Sequence, residues 1–463
     1  MLLVRLFSKQ DFATYRQTIL IYTMAAPLLG MGLAQSVMYF LPTAERKERG
    51  GLILEAVIPL LFAGIVYYLA ILLGGNYLIA QVWDNPRLAQ TLLIMAPVGV
   101  FMLANQCLAP SLIATNHVTL AALFGVVSGI SLAVATAITT WFLPEIEVAL
   151  ATQIVVHLIL FVVAAGIFRK NFSMRLPKLS GSRKQLEYGI PLGLSSAVAI
   201  LSRSVDRAMV STYCKLEQFA EFDRGAMELP LVNVVTGSMN SILLVDYRVM
   251  LEDGRVDEIL PLLHRAIKKS AAILLPAMFF LLCLAPEFMV CLYGQEYKAS
   301  YPVFQIYLLL LPCRTLVFSS IALAAGKTRE LAIVPIVTII ANIILNYLAI
   351  QMFGHIGCAM ATVFVVYFVS AYGRALIAQR ILNCSLSEFI PWAMFGKISV
   401  LSLIPLIPVV AFLGLSNIQN EWLRLIGSFI IYSTFLMPLF WRFGYVDPNA
   451  IAARIKRFFP NNI

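Results

Sequence analysis

The sequence predicts an all-α polytopic membrane protein of about 13 transmembrane helices, in two parallel pseudo-symmetric helix lobes followed by a C-terminal helix pair. Three observations carry that expectation. Hydrophobic residues make up 60% of the 463 and charged residues 13%, about half of the roughly 25% charge that keeps a soluble chain solvated. Apolar runs of about 20 residues recur from Gln17 to Phe443, each long enough to cross about 30 Å of hydrocarbon. Lysine and arginine fall unevenly between alternate loops, as the positive-inside rule requires of a membrane protein.

In lipid every backbone polar group needs a partner within the structure, so spans of this length are helices. They are read at 17–41, 52–74, 88–113, 118–143, 146–168, 187–211, 219–246, 268–292, 300–324, 331–353, 356–382, 393–415 and 424–443. The loop 42–51 is placed inside and span ends are counted with their flanking loops. Of the 34 lysines and arginines, 22 then lie inside, 7 outside and 5 within spans. That asymmetry orients the chain with a cytoplasmic C-terminus and an outer N-terminus, in a membrane such as the bacterial inner membrane.

Residues 1–168 form an N-terminal lobe of five spans. The segment 169–186, with Arg169, Lys170, Arg175, Lys178, Arg183 and Lys184, is a basic cytoplasmic linker. Residues 187–382 make a six-span C-terminal lobe, 393–443 an extra helix pair, and 444–463 a basic cytoplasmic tail. In the tail Ile451, Ile455, Phe458 and Phe459 share one helical face, and Arg454, Lys456 and Arg457 sit elsewhere around it. That pattern suits an interfacial helix on anionic lipid as well as a solvated tail. The odd span count, and the loop-like stretch Arg5 to Phe12 at the start, predict a first helix lying upstream or missing.

No nucleotide-binding loop or dinucleotide fingerprint occurs, the seven cysteines form no CxxC pair, and the four histidines are scattered. No cofactor or metal is therefore expected. Membrane lipids, rather than nucleic acid, are the partners expected of so apolar a chain.

An internal repeat is visible. Pro97, the turn Thr115-Asn116-His117 and Ala149-Leu150-Ala151-Thr152 follow the same order as Pro312, Gly326-Lys327-Thr328 and Ala359-Met360-Ala361-Thr362. Both copies run from outside to inside, so they are parallel, an arrangement found in secondary transporters.

Charges inside spans are expensive, by roughly 2.5–3.5 kcal/mol each at mid-bilayer on insertion scales, and are the functional candidates. Arg203, Asp206 and Arg207 share a face of the span 187–211, and Asp223, Arg224 and Glu228 lie near the outer end of the next. Three cations facing three anions form either a static ion-pair latch or a gate whose arginines a pyrophosphate captures, since a guanidinium binds phosphate oxygens in pairs. Arg314 sits mid-span after Pro312 with no acid on its own span, and is expected to line a wet cavity or to pair with another helix. Asn342 and Asn346 are expected to hydrogen-bond between helices, and Pro405 and Pro408 to bend theirs.

These residues resemble the Wzx-like polysaccharide flippases of the multidrug, oligosaccharidyl-lipid and polysaccharide exporter superfamily. The resemblance is carried by Ser202-Arg203-Ser204-Val205-Asp206-Arg207, by Glu228-Leu229-Pro230-Leu231 with Ser238, and by Tyr293-Gly294-Gln295-Glu296-Tyr297-Lys298-Ala299-Ser300. It is continued by Gly326-Lys327, Asn342, Asn346, Gly354 and Gly357-Cys358-Ala359. The chain departs from the family pattern at Asp223-Arg224.

The resemblance implies fourteen spans in the full form, the first of them lacking here, and a cavity lined in part by 187–211, 219–246 and 300–324. It implies transfer of a polyprenyl-pyrophosphate-linked oligosaccharide from the cytoplasmic to the outer leaflet by alternating access, in O-antigen, capsule or exopolysaccharide synthesis, beside a polysaccharide polymerase. Arg203, Arg207, Arg224 and Arg314 would attract the pyrophosphate, with Asp206, Asp223 and Glu228 as exchangeable partners. The alternatives are a cation-coupled multidrug antiporter of the same superfamily and, from another class, a membrane glycosyltransferase or polymerase.

Overall fold

The computed structural model describes residues 2–172, 177, 179–316, 318–416 and 418–445. Arg175 and Lys178 of the basic segment, and the tail face of Ile451, Ile455, Phe458 and Phe459, lie outside the described residues. Among the described residues there are helices and turns and no strand. Seven helices are long and apolar enough to cross a membrane, and three pairs bent at a short break meet the same test together, giving up to ten. The chain is a multi-pass α-helical membrane protein.

Two compact units divide it, Met1–Ala220 and Glu221–Ile463. The first unit takes in the long helix Leu179–Tyr213. Gly189 and Gly193, one helical turn apart, bring the backbone of this helix against the turn Met31–Gly32, where any β-carbon would collide with main-chain atoms. Helices in membranes associate by such close backbone approach. The turn itself needs Gly32, whose φ of 64° is left-handed, and it bends Lys9–Gly30 from Leu33–Phe40 by 40°.

The remainder of the first unit is built from Arg49–Val82, the bent pair Pro86–Met95 and Val98–Ala114, Val118–Phe142 and Ile146–Asn171. Leu33, Val37, Ile53, Ala56, Leu103 and Leu112 form its apolar core. A buried polar chain runs beside that core. The Asn85 amide donates to Thr14 Oγ1 at 2.9 Å and Gln17 Oε1 at 2.8 Å, Gln17 Nε2 donates to Ser211 Oγ at 3.3 Å, and the Thr18 and Thr91 hydroxyls lie 2.8 Å apart. Each bond meets a polar group that lipid would leave unsatisfied.

In the second unit the expected span 219–246 is broken. A short helix, Leu216–Gly225, crosses the division between units, and a separate helix, Pro230–Glu252, begins after it. Gly225 packs against Val303 and the Ser300 carbonyl, and Pro230, which lacks an N–H, opens the new helix where none is needed. Helix Thr328–Val365 joins two expected spans through a kink at Gly354. The extra pair packs within this unit, with Tyr432 donating to the carbonyls of Ser402 at 2.9 Å and Pro276 at 3.1 Å. Its first helix breaks at Pro405, as expected. Asn342 and Asn346 are buried and bond each other along one helix.

The sequence repeat has a counterpart in backbone geometry. Pro97 and Pro312 each stand at the break of a bent pair, at 50° and 44°. In each unit the helix after the proline ends on a left-handed residue, Asn116 at φ 65° or Gly326 at φ 71°. The Asn116 and Gly326 amides bond the carbonyls of Ile113 and Leu323, and the next amides, His117 and Lys327, bond those of Leu112 and Ala322. The same capping arrangement, reached with Asn in one copy and Gly in the other, closes both helices.

Candidate functional site

The site is built where proline interrupts a helix. Tyr301–Leu308 stops, Leu311–Arg314 makes one turn around Pro312, and Ser319–Ala324 resumes. Proline cannot donate to the helix ladder, so carbonyls upstream of it look elsewhere. The Tyr367 hydroxyl donates to Leu309 O at 2.6 Å. Tyr367 lies in a π-helical turn, Val366–Ala371, a distortion frequent at functional sites. Two irregular segments thus support each other at membrane depth, a feature tolerated where backbone is buried in protein or lines a cavity.

Arg314 projects from the interrupted turn and pairs with Glu228, on the segment between Leu216–Gly225 and Pro230–Glu252. The side chains are 39% and 43% exposed. An ion pair open to that degree is worth about 1 kcal/mol or less where water reaches it, so it exchanges readily. Glu228, expected to face the arginines of the span 187–211, is thus the acid that Arg314 lacks on its own span. Arg374, on helix Tyr372–Leu382, lies within electrostatic reach of Arg314 and Cys313. Sequence reasoning passed over it. The rule that singled out Arg314, a guanidinium inside an apolar span, applies equally to Arg374. Among the described residues, Arg314 thus has the Glu228 carboxylate as its ion-pair partner and a second guanidinium within electrostatic reach.

The other expected residues occupy different settings. Asp223 and Arg224, adjacent on the short helix, pair with each other, Asp223 being buried and Arg224 largely so. The Arg224 guanidinium lies 5.5 Å from the centre of the Tyr293 ring, whose hydroxyl donates to Met227 Sδ at 3.3 Å. One turn before, Glu221 Oε2 stands 3.8 Å from His355 Nε2, both side chains nearly buried. The resemblance segment at Tyr293 and Tyr297 therefore packs beside this short helix, with Tyr297 fully buried. At the start of the same helix, Gln10 Nε2 donates to Glu217 at 2.7 Å and holds its carboxyl below the usual range.

Arg203, Asp206 and Arg207 lie in the first unit. Arg203 is exposed, Asp206 is 5% exposed, and Arg207 Nη1 donates to the Arg203 carbonyl at 3.2 Å. The three stand at i, i+3 and i+4 of helix Leu179–Tyr213, with Asp206 buried, Arg207 half-buried and Arg203 exposed.

Chemically, a half-open, exchangeable arginine beside a second guanidinium binds anions, and phosphate oxygens best of all.

Residues 2–302 match the model of a family described as "Polysaccharide biosynthesis protein". No curated protein matches the chain. Among solved structures, the fold is similar to that of the lipid II flippase MurJ in an inward closed conformation, at TM-score 0.74 and 17% identity, covering 99% of this chain and 96% of that one. It is also similar to an inward-facing multidrug resistance MATE family transporter of the MOP superfamily, at TM-score 0.69 and 15% identity, covering 83% and 94%. A MATE in complex with MaL6 follows at TM-score 0.57 and 16% identity, covering 82% and 90%. At these identities the likeness is one of fold.

Proposed function

The chain belongs to the polysaccharide biosynthesis protein family, and from that membership we propose that it flips a polyprenyl-pyrophosphate-linked oligosaccharide from the cytoplasmic to the outer leaflet of a bacterial inner membrane. The Arg314–Glu228 pair is the observation that carries the reading. Its guanidinium is held at a proline break in an apolar bundle, is partly open, and has a partner that a pyrophosphate displaces. Binding energy then comes from exchanging one carboxylate for two phosphate groups, each bond charge-assisted. Arg203 and Arg207 are proposed to attract the cargo along its route, with Asp206 as their resting partner, whereas the buried Asp223–Arg224 pair is proposed to hold its helix in place. Transport proceeds by alternating access, needs no covalent step and no cofactor, and feeds a polymerase on the outer face. The fold of a lipid II flippase, named as such, supports this reading over an enzymatic one.

The test is complementation. In a strain deleted for the gene, the wild-type chain restores surface polysaccharide. Arg314→Ala, at equal protein level, lowers it by about tenfold or more, and Arg314→Lys restores part of it, since lysine keeps the charge and loses the fork. Full polymer from the alanine variant removes Arg314 from the mechanism.

A second reading, cation-coupled antiport of drugs, is favoured by one observation, the nearly buried Glu221–His355 pair. A drug-sensitivity panel in the same strain decides between them: hypersensitivity on deletion with intact polymer selects the antiporter.

A further inference from the structure

In the first unit, next to the loop 42–51, helices Leu33–Phe40 and Leu179–Tyr213 meet through aromatic residues. The Tyr39 and Tyr188 rings are stacked, with centres 4.3 Å apart and planes at 19°. Phe40 stands edge-on to both, at 5.0 Å and 5.3 Å. Lys184, one helical turn before Tyr188, holds its ammonium 5.2 Å from the centre of the Phe40 ring. Tyr188 covers one face of the Tyr39 ring, and Tyr39 is nonetheless 58% exposed, so its other face is open.

Two separate contacts fix this stack. Ser36 Oγ donates to Gln185 Oε1 at 3.0 Å, and Gln185 Nε2 donates to Leu52 O at 2.7 Å, with Ser36 and Gln185 both buried. Gly189 and Gly193 hold the same helix against the Met31–Gly32 turn. Tyr188 thus lies between a buried hydrogen-bond chain and a backbone contact, and Tyr39 is one turn beyond Ser36. A tyrosine that merely marks the membrane interface needs a polar tip and an apolar body, and no partner ring. A rigid, exposed aromatic face offers contact area at little conformational cost.

Such a face stacks with a cationic group, a nucleobase or the flat C–H face of a pyranose. Lys184 repels the first. The second arrives as a nucleotide, for which the chain has no phosphate-binding loop. The third suits both the ring and the charges. Polarised C–H groups meet the negative face of the ring, and Lys184 accommodates an anionic substituent. Beside Tyr188, the exposed Arg183–Glu187 pair, 2.9 Å apart, offers a donor and an acceptor for hydroxyls.

We propose that the open face of Tyr39, backed by Tyr188, stacks on a pyranose of a phosphate-linked sugar, with Lys184 beside the phosphate. The inference rests on the flippase reading for its place in transport and deepens it by naming the residues that hold the sugar. Tyr39 and Lys184 touch the cargo, while Gln185 is a positioning residue.

The full chain in phosphatidylcholine nanodiscs tests it, by saturation-transfer NMR with glucose 1-phosphate, galactose 1-phosphate and N-acetylglucosamine 1-phosphate. Irradiation of the aromatic protons is expected to transfer to the ring C–H protons of at least one of the three. Tyr39→Leu keeps apolar bulk, loses the flat face and weakens binding about three- to tenfold, whereas Tyr39→Phe and Tyr39→Trp retain it. Should the leucine variant not elute as a single peak, Tyr39→Met reads the same loss. Lys184→Gln weakens binding by about threefold or more. Absence of transfer to all three sugars overturns the proposal, as does an affinity indifferent to Tyr39→Leu or to Lys184→Gln. Equal loss in Tyr39→Phe overturns it too, because the hydroxyl and not the ring face then holds the ligand.

The two readings fail separately. Sugar-phosphate binding through Tyr39, with surface polymer unaffected by deletion of the gene, keeps the stacking site and removes the flippase. Polymer lost on deletion yet normal in Tyr39→Leu, with no transfer to the sugars, does the reverse.

Discussion

At the scale of single residues, the chemistry turns on what each charged group has beside it. Arg314 and Glu228 are both about two-fifths exposed, and where water reaches them their attraction is screened and the pair exchanges partners at small cost. Asp223 and Arg224 are largely buried together, and breaking a pair out of reach of water strands a charge, which costs far more. The first pair suits a binding role and the second a holding role. Glu228→Gln is therefore expected to preserve surface polysaccharide within about threefold, because it frees Arg314 for the cargo, whereas Asp223→Asn lowers the amount of folded protein recovered from membranes. Polymer and protein level measured on the same cells check both. Loss of polymer at normal protein level in Glu228→Gln would make the carboxylate part of the transport step.

At the scale of elements, proline and glycine decide where helices break and meet. Pro312 and Pro97 stood out in the sequence as the start of two matching blocks, and both mark bends in the structure. The crossing of Leu179–Tyr213 on the Met31–Gly32 turn depended on Gly189 and Gly193, which no periodicity singled out. Apolar spans show little contrast between faces, so the buried face of a membrane helix is hard to read from hydropathy alone. Gly193→Leu forces a side chain into backbone already in contact and is expected to destabilise the first unit by about 1–3 kcal/mol or more. Gly125→Leu, on Val118–Phe142, meets open space and is expected to be neutral. Thermal unfolding in detergent, followed by thiol-reactive fluorescence at the buried Cys107, measures the two side by side. Equal melting points would discard the crossing as a stabilising contact.

At the scale of the whole molecule, the orientation is a proposal of its own. The basic loops 42–51 and 247–267 are proposed to face the cytoplasm and the segment 293–299 the outer side. Alkaline phosphatase, active outside the cytoplasm, is expected to be active when fused after residue 296 and inactive when fused after residue 254. The opposite pattern inverts the chain and with it the direction in which the cargo is proposed to move.

Composition and span length by themselves determined the membrane setting, the helical class and the approximate positions of most helices. Those follow from a local requirement, that each backbone polar group in hydrocarbon bond within its own segment. The order of prolines and turn residues also determined the repeat, because capping and helix breaks are local too. What the tertiary structure decided was pairing. It assigned Glu228 to Arg314, separated Asp223 and Arg224 from the helix that follows them, brought His355 to Glu221 and revealed Arg374 as a neighbour of Arg314. Such meetings join residues up to 134 positions apart, as for Glu221 and His355. No local rule reaches that far, because which helix faces lie together is set by packing throughout a unit.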